Sequence, residues 1–181
     1  MTIAATTARW NEQLADVLER MAAGGGQPGV AEPQMLAGKT GLEIMQAMLA
    51  GKLPFAHIAQ TLAFALVEVS AGKAVFQGTP KLEHYNPMGS VHGGWYATLL
   101  DSAMGCAVHT TMPAGFAYTT AELSVNIVRA ASHKSGPLRA IGTVLHAGRQ
   151  LATAEARIVG ADGKLYAHAT TTCLVFEAPA R

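Results

Sequence analysis

The sequence predicts an α+β fold in which one long helix packs on an antiparallel sheet. Three observations predict it. Two segments with alternating apolar and polar residues come before the helix, a long segment rich in small and apolar residues forms the helix itself, and four more strand-like segments follow it. A single helix set between two groups of strands is typical of a helix layered on one face of a sheet.

The N-terminal part is predicted to be helical. Residues 8–22 carry one apolar stripe at helical spacing, and glycines and prolines break regular structure over 23–39. Thr40, followed three residues later by Glu43, is a capping-box pattern that starts a second helix. Residues 54–61 are predicted to form a further short helical piece.

The strand segments are separated by turn residues. A hairpin is predicted for 64–77 around Ser70-Ala71-Gly72, and Asp162-Gly163 is a strong signal for another hairpin turn. The four segments after the helix are predicted at 119–129, 138–146, 151–159 and 165–176.

The long helix is predicted over about 92–112. Gly93 and Gly94 stand at its start, where the absence of a Cβ lets the backbone approach a ligand. The first-turn N–H groups have no intrahelical partner, and the helix dipole favours negative charge there. Asp101 is the only formally charged residue of this helix. A carboxylate among apolar neighbours is costly unless it is paired or used in chemistry.

Composition excludes several function classes. Half of the 181 residues are apolar, 14% are charged, and the formal net charge is +1. No basic cluster favours nucleic-acid binding, and the low charge predicts burial of apolar surface against another subunit. No segment has the length of a membrane span or the pattern of a signal peptide, so a cytoplasmic protein is expected. Cys106, Cys173 and the seven histidines show no metal-ligand spacing, so no metal site is expected.

Six short motifs stand in order along the chain. They are Asn86-Pro87-x-Gly89, His92-Gly93-Gly94, Leu100-Asp101-Ser102-Ala103, Thr120-x-x-Leu123-x-Val125, Arg129 and Gly148-Arg149. With these motifs the chain from about Pro54 to Glu177 resembles the hot-dog-fold acyl-CoA thioesterases of the phenylacetic-acid-degradation (PaaI-like) family. We therefore assign residues 1–53 to an N-terminal helical extension and 54–181 to a hot-dog domain.

The resemblance implies a long central helix wrapped by a curved antiparallel sheet. It also implies an enzyme that hydrolyses acyl-CoA to a free acid and CoA, with the thioester as substrate and no cofactor. The expected assembly is a homodimer that associates further into a homotetramer.

Asp101 and Gly93 are the two central site candidates. The carboxylate would act as general base for water or as direct nucleophile, unless it is an ordinary paired or solvent-facing Asp. The Gly93 N–H would polarise the thioester oxygen. The two residues lie eight positions apart, or roughly 12 Å along one helix. A site that uses both therefore requires two helices across a dimer interface, with two sites in each dimer.

Three further residues have both a catalytic and a structural interpretation. Asn86 could bind the thioester oxygen or orient water, or it could simply precede a proline in a turn. His92 could polarise substrate or hold the loop. Thr120 could hold the attacking water, as the family resemblance implies, or be an ordinary β-branched strand residue. In the dimer, Asp101 and Thr120 would come from one subunit and Asn86 and Gly93 from the other.

Substrate binding is predicted at two places. Gly94 and Trp95, beside the helix start, are candidates for contact with the substrate, and Trp95 could line an acyl pocket. Turn and strand-end residues are candidates for CoA, because its phosphates suit arginine donors, although each is also consistent with a solvated surface position. The candidates for CoA are Arg129, Gly148, Arg149 and Gln150.

Two other functions remain open at this stage. One is a hydratase or dehydratase on the same fold, acting on acyl-CoA or acyl carrier protein through a histidine and an acid. The other is a non-catalytic acyl-CoA-binding protein whose N-terminal helices contact a partner. The spacing of the His-Gly-Gly motif and Asp101 fits the thioesterase better.

Overall fold

In residues 2–178, which the computed structural model describes, five α-helices, one short 3₁₀ helix (Leu82–His84) and six strands form the fold. The helices are α1 (Ile3–Ala23), α2 (Pro33–Leu36), α3 (Gly41–Leu49), α4 (His57–Thr61) and α5 (Gly93–His109). The strands are β1 (Phe64–Ser70), β2 (Lys73–Gly78), β3 (Phe116–Ile127), β4 (Leu138–Ala147), β5 (Leu151–Gly160) and β6 (Leu165–Glu177).

The six strands form one antiparallel sheet in the order β1-β2-β4-β5-β6-β3. The sheet curves around α5, which contacts all six strands. This confirms the predicted α+β architecture, with one long helix wrapped by an antiparallel sheet.

Small residues allow α5 and the sheet to approach each other closely. A Cβ added to Gly142 on β4 would lie 2.3 Å from the carbonyl oxygen of Ala103, and one added to Gly105 would lie 2.6 Å from the Tyr118 hydroxyl. Most of α5 is buried as a result, and the half-buried Asp101 lies on its remaining open side.

Strand β3 is an open edge of the sheet. None of its 12 residues is buried, and among the strands of residues 2–178 it pairs only with β6. An unpaired edge strand of this length offers a row of backbone donors and acceptors to another chain.

The N-terminal part is helical, as predicted, with two differences. Helix α1 is longer than the predicted 8–22, because Thr2 caps it by accepting from the Ala5 N–H. The predicted break over 23–39 contains one helical turn, α2, which a proline at its first position permits. The predicted Thr40–Glu43 capping box is confirmed, with both reciprocal hydrogen bonds present.

A buried arginine attaches α1 to the sheet. The Arg139 guanidinium donates to Gln13 of α1 at 2.9 Å, to Gln77 of β2 at 2.9 Å and to Glu68 of β1 at 3.1 Å. It also lies over the Trp10 ring, 4.5 Å from the centroid. These contacts satisfy most of the buried charge and fix the position of the N-terminal helix.

Candidate active site

Asp101 and Thr120 are in direct contact. The Thr120 hydroxyl on β3 donates to Asp101 Oδ1 on α5 at 3.0 Å. This bond occupies Oδ1 and leaves Oδ2 for another group.

A β-bulge sets the direction of Thr120. Up to Thr120, the even-numbered residues of β3 pair with the inward-facing residues of β6. From Leu123 onward, the odd-numbered residues of β3 pair with them instead. The register shift lies between Thr120 and Glu122, and the Thr171 hydroxyl donates to the Glu122 carbonyl at 2.7 Å beside it. Bulges of this kind re-aim side chains next to functional sites.

The other groups near Asp101 are protonated at neutral pH. Burial raises the pKa of the Cys106 thiol to about 12, and the Asp101 charge adds to the rise. Burial also raises the pKa of Tyr118 well above its ordinary value. Because the thiol stays protonated, Cys106 is a poor nucleophile. Asp101 is left as the basic group of this cluster.

The start of α5 offers a free backbone donor. His92 caps the helix, since its Nδ1 accepts from the Gly94 N–H at 2.9 Å, and its carbonyl accepts from the Trp95 N–H at 3.0 Å. In the part of the chain that the structure describes, the Gly93 N–H has no acceptor. It is thus a first-turn donor that remains for a ligand.

Gly93 and Asp101 lie at the start and in the middle of α5. Eight residues of helix separate them by roughly 12 Å. Within one chain, no single thioester carbonyl reaches both groups.

Asn86 holds its own loop. Its Oδ1 accepts from the N–H groups of Met88 at 3.0 Å and Ser90 at 3.2 Å, and its Nδ2 donates to the Ser90 hydroxyl at 3.0 Å. These bonds fit the structural interpretation of an Asn before proline. Contact of Asn86 with substrate stays a prediction.

Trp95 is a core residue in this structure. Its side chain is 2% exposed, it donates to the Leu62 carbonyl at 3.0 Å, and its ring stacks on His84. These contacts give no support to the predicted contact of Trp95 with substrate, which stays a prediction. Gly94 is exposed at the helix start, with its N–H already used by His92.

The predicted CoA-binding residues lie at opposite ends of the sheet. Arg129 follows the end of β3, where its N–H donates to the Tyr166 carbonyl. Arg149 and Gln150 lie in the β4–β5 turn, where the Gln150 carbonyl accepts from Val175 near the opposite end of β6. Gly148 is in the same turn, and both arginine side chains are exposed. A single chain does not bring these two groups together.

The structure adds three residues that the sequence analysis did not select. Ser102, Cys106 and Tyr118 line a cavity together with Asp101 and Thr120. Ser102 and Cys106 stand one and five residues after Asp101, and Tyr118 stands two before Thr120. Helix and strand periodicity could have identified them once Asp101 and Thr120 were chosen.

Two broader features bear on the type of site. Among residues 2–178 no group of three or more His, Cys, Asp or Glu side chains is placed to hold a metal ion. Within the same residues, every helix is too short or too polar to span a membrane.

Comparison with known proteins places this geometry in context. The model of the thioesterase superfamily matches residues 88–167. A protein of that superfamily with a known X-ray structure is 32% identical, with a TM-score of 0.57 over 66% of this chain and 89% of the other. No curated protein matches the chain.

Two more distant structures share the fold. The PaaI protein of the E. coli phenylacetic acid degradation operon is 23% identical, with a TM-score of 0.59 over 67% of this chain and 85% of that one. A hypothetical thioesterase from Streptococcus pneumoniae, solved with coenzyme A, is 24% identical, with a TM-score of 0.58 over 65% of this chain and 88% of that one.

Proposed function

Since this chain belongs to the thioesterase superfamily, we propose that it hydrolyses acyl-CoA thioesters to a carboxylic acid and CoA. The observation that carries the proposal is the Asp101 carboxylate, held by Thr120 at the edge of a cavity. The streptococcal relative solved with coenzyme A supports CoA as the thiol part of the substrate.

Asp101 supplies the base or the nucleophile. As a base, Oδ2 takes a proton from water while the water oxygen attacks the thioester carbonyl. As a nucleophile, the carboxylate attacks directly, and water then hydrolyses the resulting anhydride. In both routes the tetrahedral intermediate collapses, the C–S bond breaks, and the CoA thiolate leaves and is protonated.

The oxyanion of that intermediate needs a donor that Asp101's own helix cannot offer. The Gly93 N–H of the same chain is roughly 12 Å away along α5, so the donor would be the partner's Gly93. The open β3 edge, with Leu123 and Ile127 exposed on it, is a surface on which two copies can pair. A two-fold axis then gives two identical sites per dimer.

The same two-fold arrangement accounts for the separated arginines. In an antiparallel pair of subunits, the β4–β5 turn of one chain approaches the end of the partner's β3. Arg129 of one chain and Arg149 of the other, with Gly148 and Gln150, would then bind the CoA phosphates. Association of two such dimers into a tetramer stays a prediction.

The alternatives are weaker on this geometry. A hydratase needs a histidine working with an acid, whereas His92 is exposed and its Nδ1 caps its own helix. A non-catalytic binder would have no need for a carboxylate held by a hydroxyl at the cavity edge. Hydrolysis uses both the carboxylate and the hydroxyl that holds it.

The test is Asp101→Asn, assayed by free-thiol release across acyl-CoA thioesters. Loss of a general base or nucleophile lowers kcat by about 10²–10⁴-fold, while circular dichroism and oligomeric state stay as in the wild type. Hydrolysis by the folded variant at the wild-type rate would refute the assignment. Single turnover in ¹⁸O-labelled water separates the two routes, because only the nucleophilic route puts label into the protein.

A further inference from the structure

The cavity beside Asp101 has a volume of about 520 Å³, and the N-terminal helices form much of its lining. Asp101 and Thr120 lie at one part of the wall. Another part comes from residues outside the 88–167 segment shared with the superfamily. Among these are Leu14, Leu18, Met21, Met48, Phe55 and Ala59.

Helix α1 presents a regular apolar stripe to this cavity. Leu14, Leu18 and Met21 follow one another at intervals of four and three residues, so they share one side of the helix. The stripe is held in place, because Arg139 binds Gln13 of the same helix from the sheet. The N-terminal wall is therefore a fixed part of the cavity.

The lining carries a single charge. Among the described residues that line the cavity, Asp101 is the only formally charged side chain, and no Lys or Arg is present. A second carboxylate on an acyl group would lose its hydration without gaining a partner, and Asp101 would repel it. The cavity therefore suits an uncharged, apolar group.

The volume sets an approximate length for that group. A methylene fills about as much space as a water molecule in the liquid, about 30 Å³, so 520 Å³ holds roughly seventeen such groups. Part of the space belongs to the thioester and the attacking water. An alkyl chain of roughly eight to fourteen carbons fits the remainder.

Building on the proposed hydrolysis, we infer that the N-terminal helices bind the acyl chain and select uncharged alkyl chains of this length. Leu18 of α1 is the specificity-determining residue that is simplest to test, because it lines the cavity yet is 49% exposed. A larger side chain there narrows the cavity without disturbing the core.

The experiment compares kcat/KM for dodecanoyl-CoA, butanoyl-CoA, phenylacetyl-CoA and a dicarboxylic acyl-CoA. The wild type prefers dodecanoyl-CoA to each of the others by about tenfold or more. Leu18→Trp lowers the ratio of dodecanoyl to butanoyl activity about tenfold. Ile3→Trp is the matched control, since Ile3 is 59% exposed on the same helix and does not line the cavity, and it leaves the ratio unchanged.

Binding of a non-hydrolysable dodecyl-CoA thioether separates this inference from the proposed reaction. Tight binding that weakens in Leu18→Trp, without turnover of any thioester, supports the chain site and refutes the hydrolysis. Turnover with a flat chain-length profile, with a preference for aryl or dicarboxylic acyl groups, or with equal ratios in the two Trp variants overturns the inference and leaves the hydrolysis standing.

Discussion

Replacing Gly93 by proline removes one N–H group with little other change. Gly93 is the first residue of α5, a position at which proline is well tolerated. His92 before it has φ −61° and ψ 138°, the extended conformation that a following proline requires. A side-chain carbon there would meet the Cδ1 of Ile127 at 3.3 Å, a flexible end that can shift. The fold should therefore survive.

The expected loss follows from the donors at the helix start. Because the Gly94 and Trp95 N–H groups already bond to His92, neither of these two neighbouring donors can replace the missing one. Removal of one oxyanion donor lowers the stabilisation of the transition state by about 3–4 kcal/mol, which reduces kcat by about 10²–10³-fold.

Steady-state thiol release with purified Gly93→Pro measures this loss. Gly93→Ala is the control, because it keeps the N–H and adds the same contact with Ile127; it should retain most of the activity. If Gly93→Pro folds and turns over at the rate of Gly93→Ala, the donor role of Gly93 is refuted.

Three further predictions concern stability, measured by urea unfolding. Arg139→Met lowers the free energy of unfolding by about 2 kcal/mol, since buried acceptors lose their donor; an unchanged value would contradict the anchoring role. Gly142→Ala costs about 3 kcal/mol, because its Cβ would lie 2.3 Å from the Ala103 carbonyl oxygen; a neutral result would mean that helix and sheet are further apart. Burial lowers the pKa of His84 and His109 below 6.5, so the unfolded chain binds more protons and stability falls as the pH drops below about 6.5. His109→Gln should make the free energy of unfolding depend less on pH. Equal stability of the wild type at pH 7.5 and 5.5 would contradict this prediction.

The elements of the fold could be predicted because their signals are local. The Thr40–Glu43 capping box and the hairpin around Ser70-Ala71-Gly72 depend only on neighbouring residues, and both are observed. The bulge between Thr120 and Glu122 was not predicted, because the alternation of residues around it looks like one continuous strand. Its register is set by pairing with β6, which is distant in sequence.

The contacts of the site depend on longer-range packing. Asp101 could be selected as a lone charge on an apolar helix, but its bond to Thr120 depends on how β3 packs against α5. Arg139 was missed, because its partners Gln13 and Gln77 lie 126 and 62 residues away. The N-terminal wall of the cavity was missed for the same reason, since an apolar helical stripe predicts burial without indicating what it contacts.

Co-expression of Asp101→Asn and Gly93→Pro with two different tags tests the shared site most directly. Each homodimer lacks one essential group in both sites. A mixed dimer rebuilds one intact site, from the Asp101 of one chain and the Gly93 N–H of its partner, so random pairing should restore about one quarter of wild-type activity. If the purified mixed dimers are as inactive as the two homodimers, the two groups do not act across the interface.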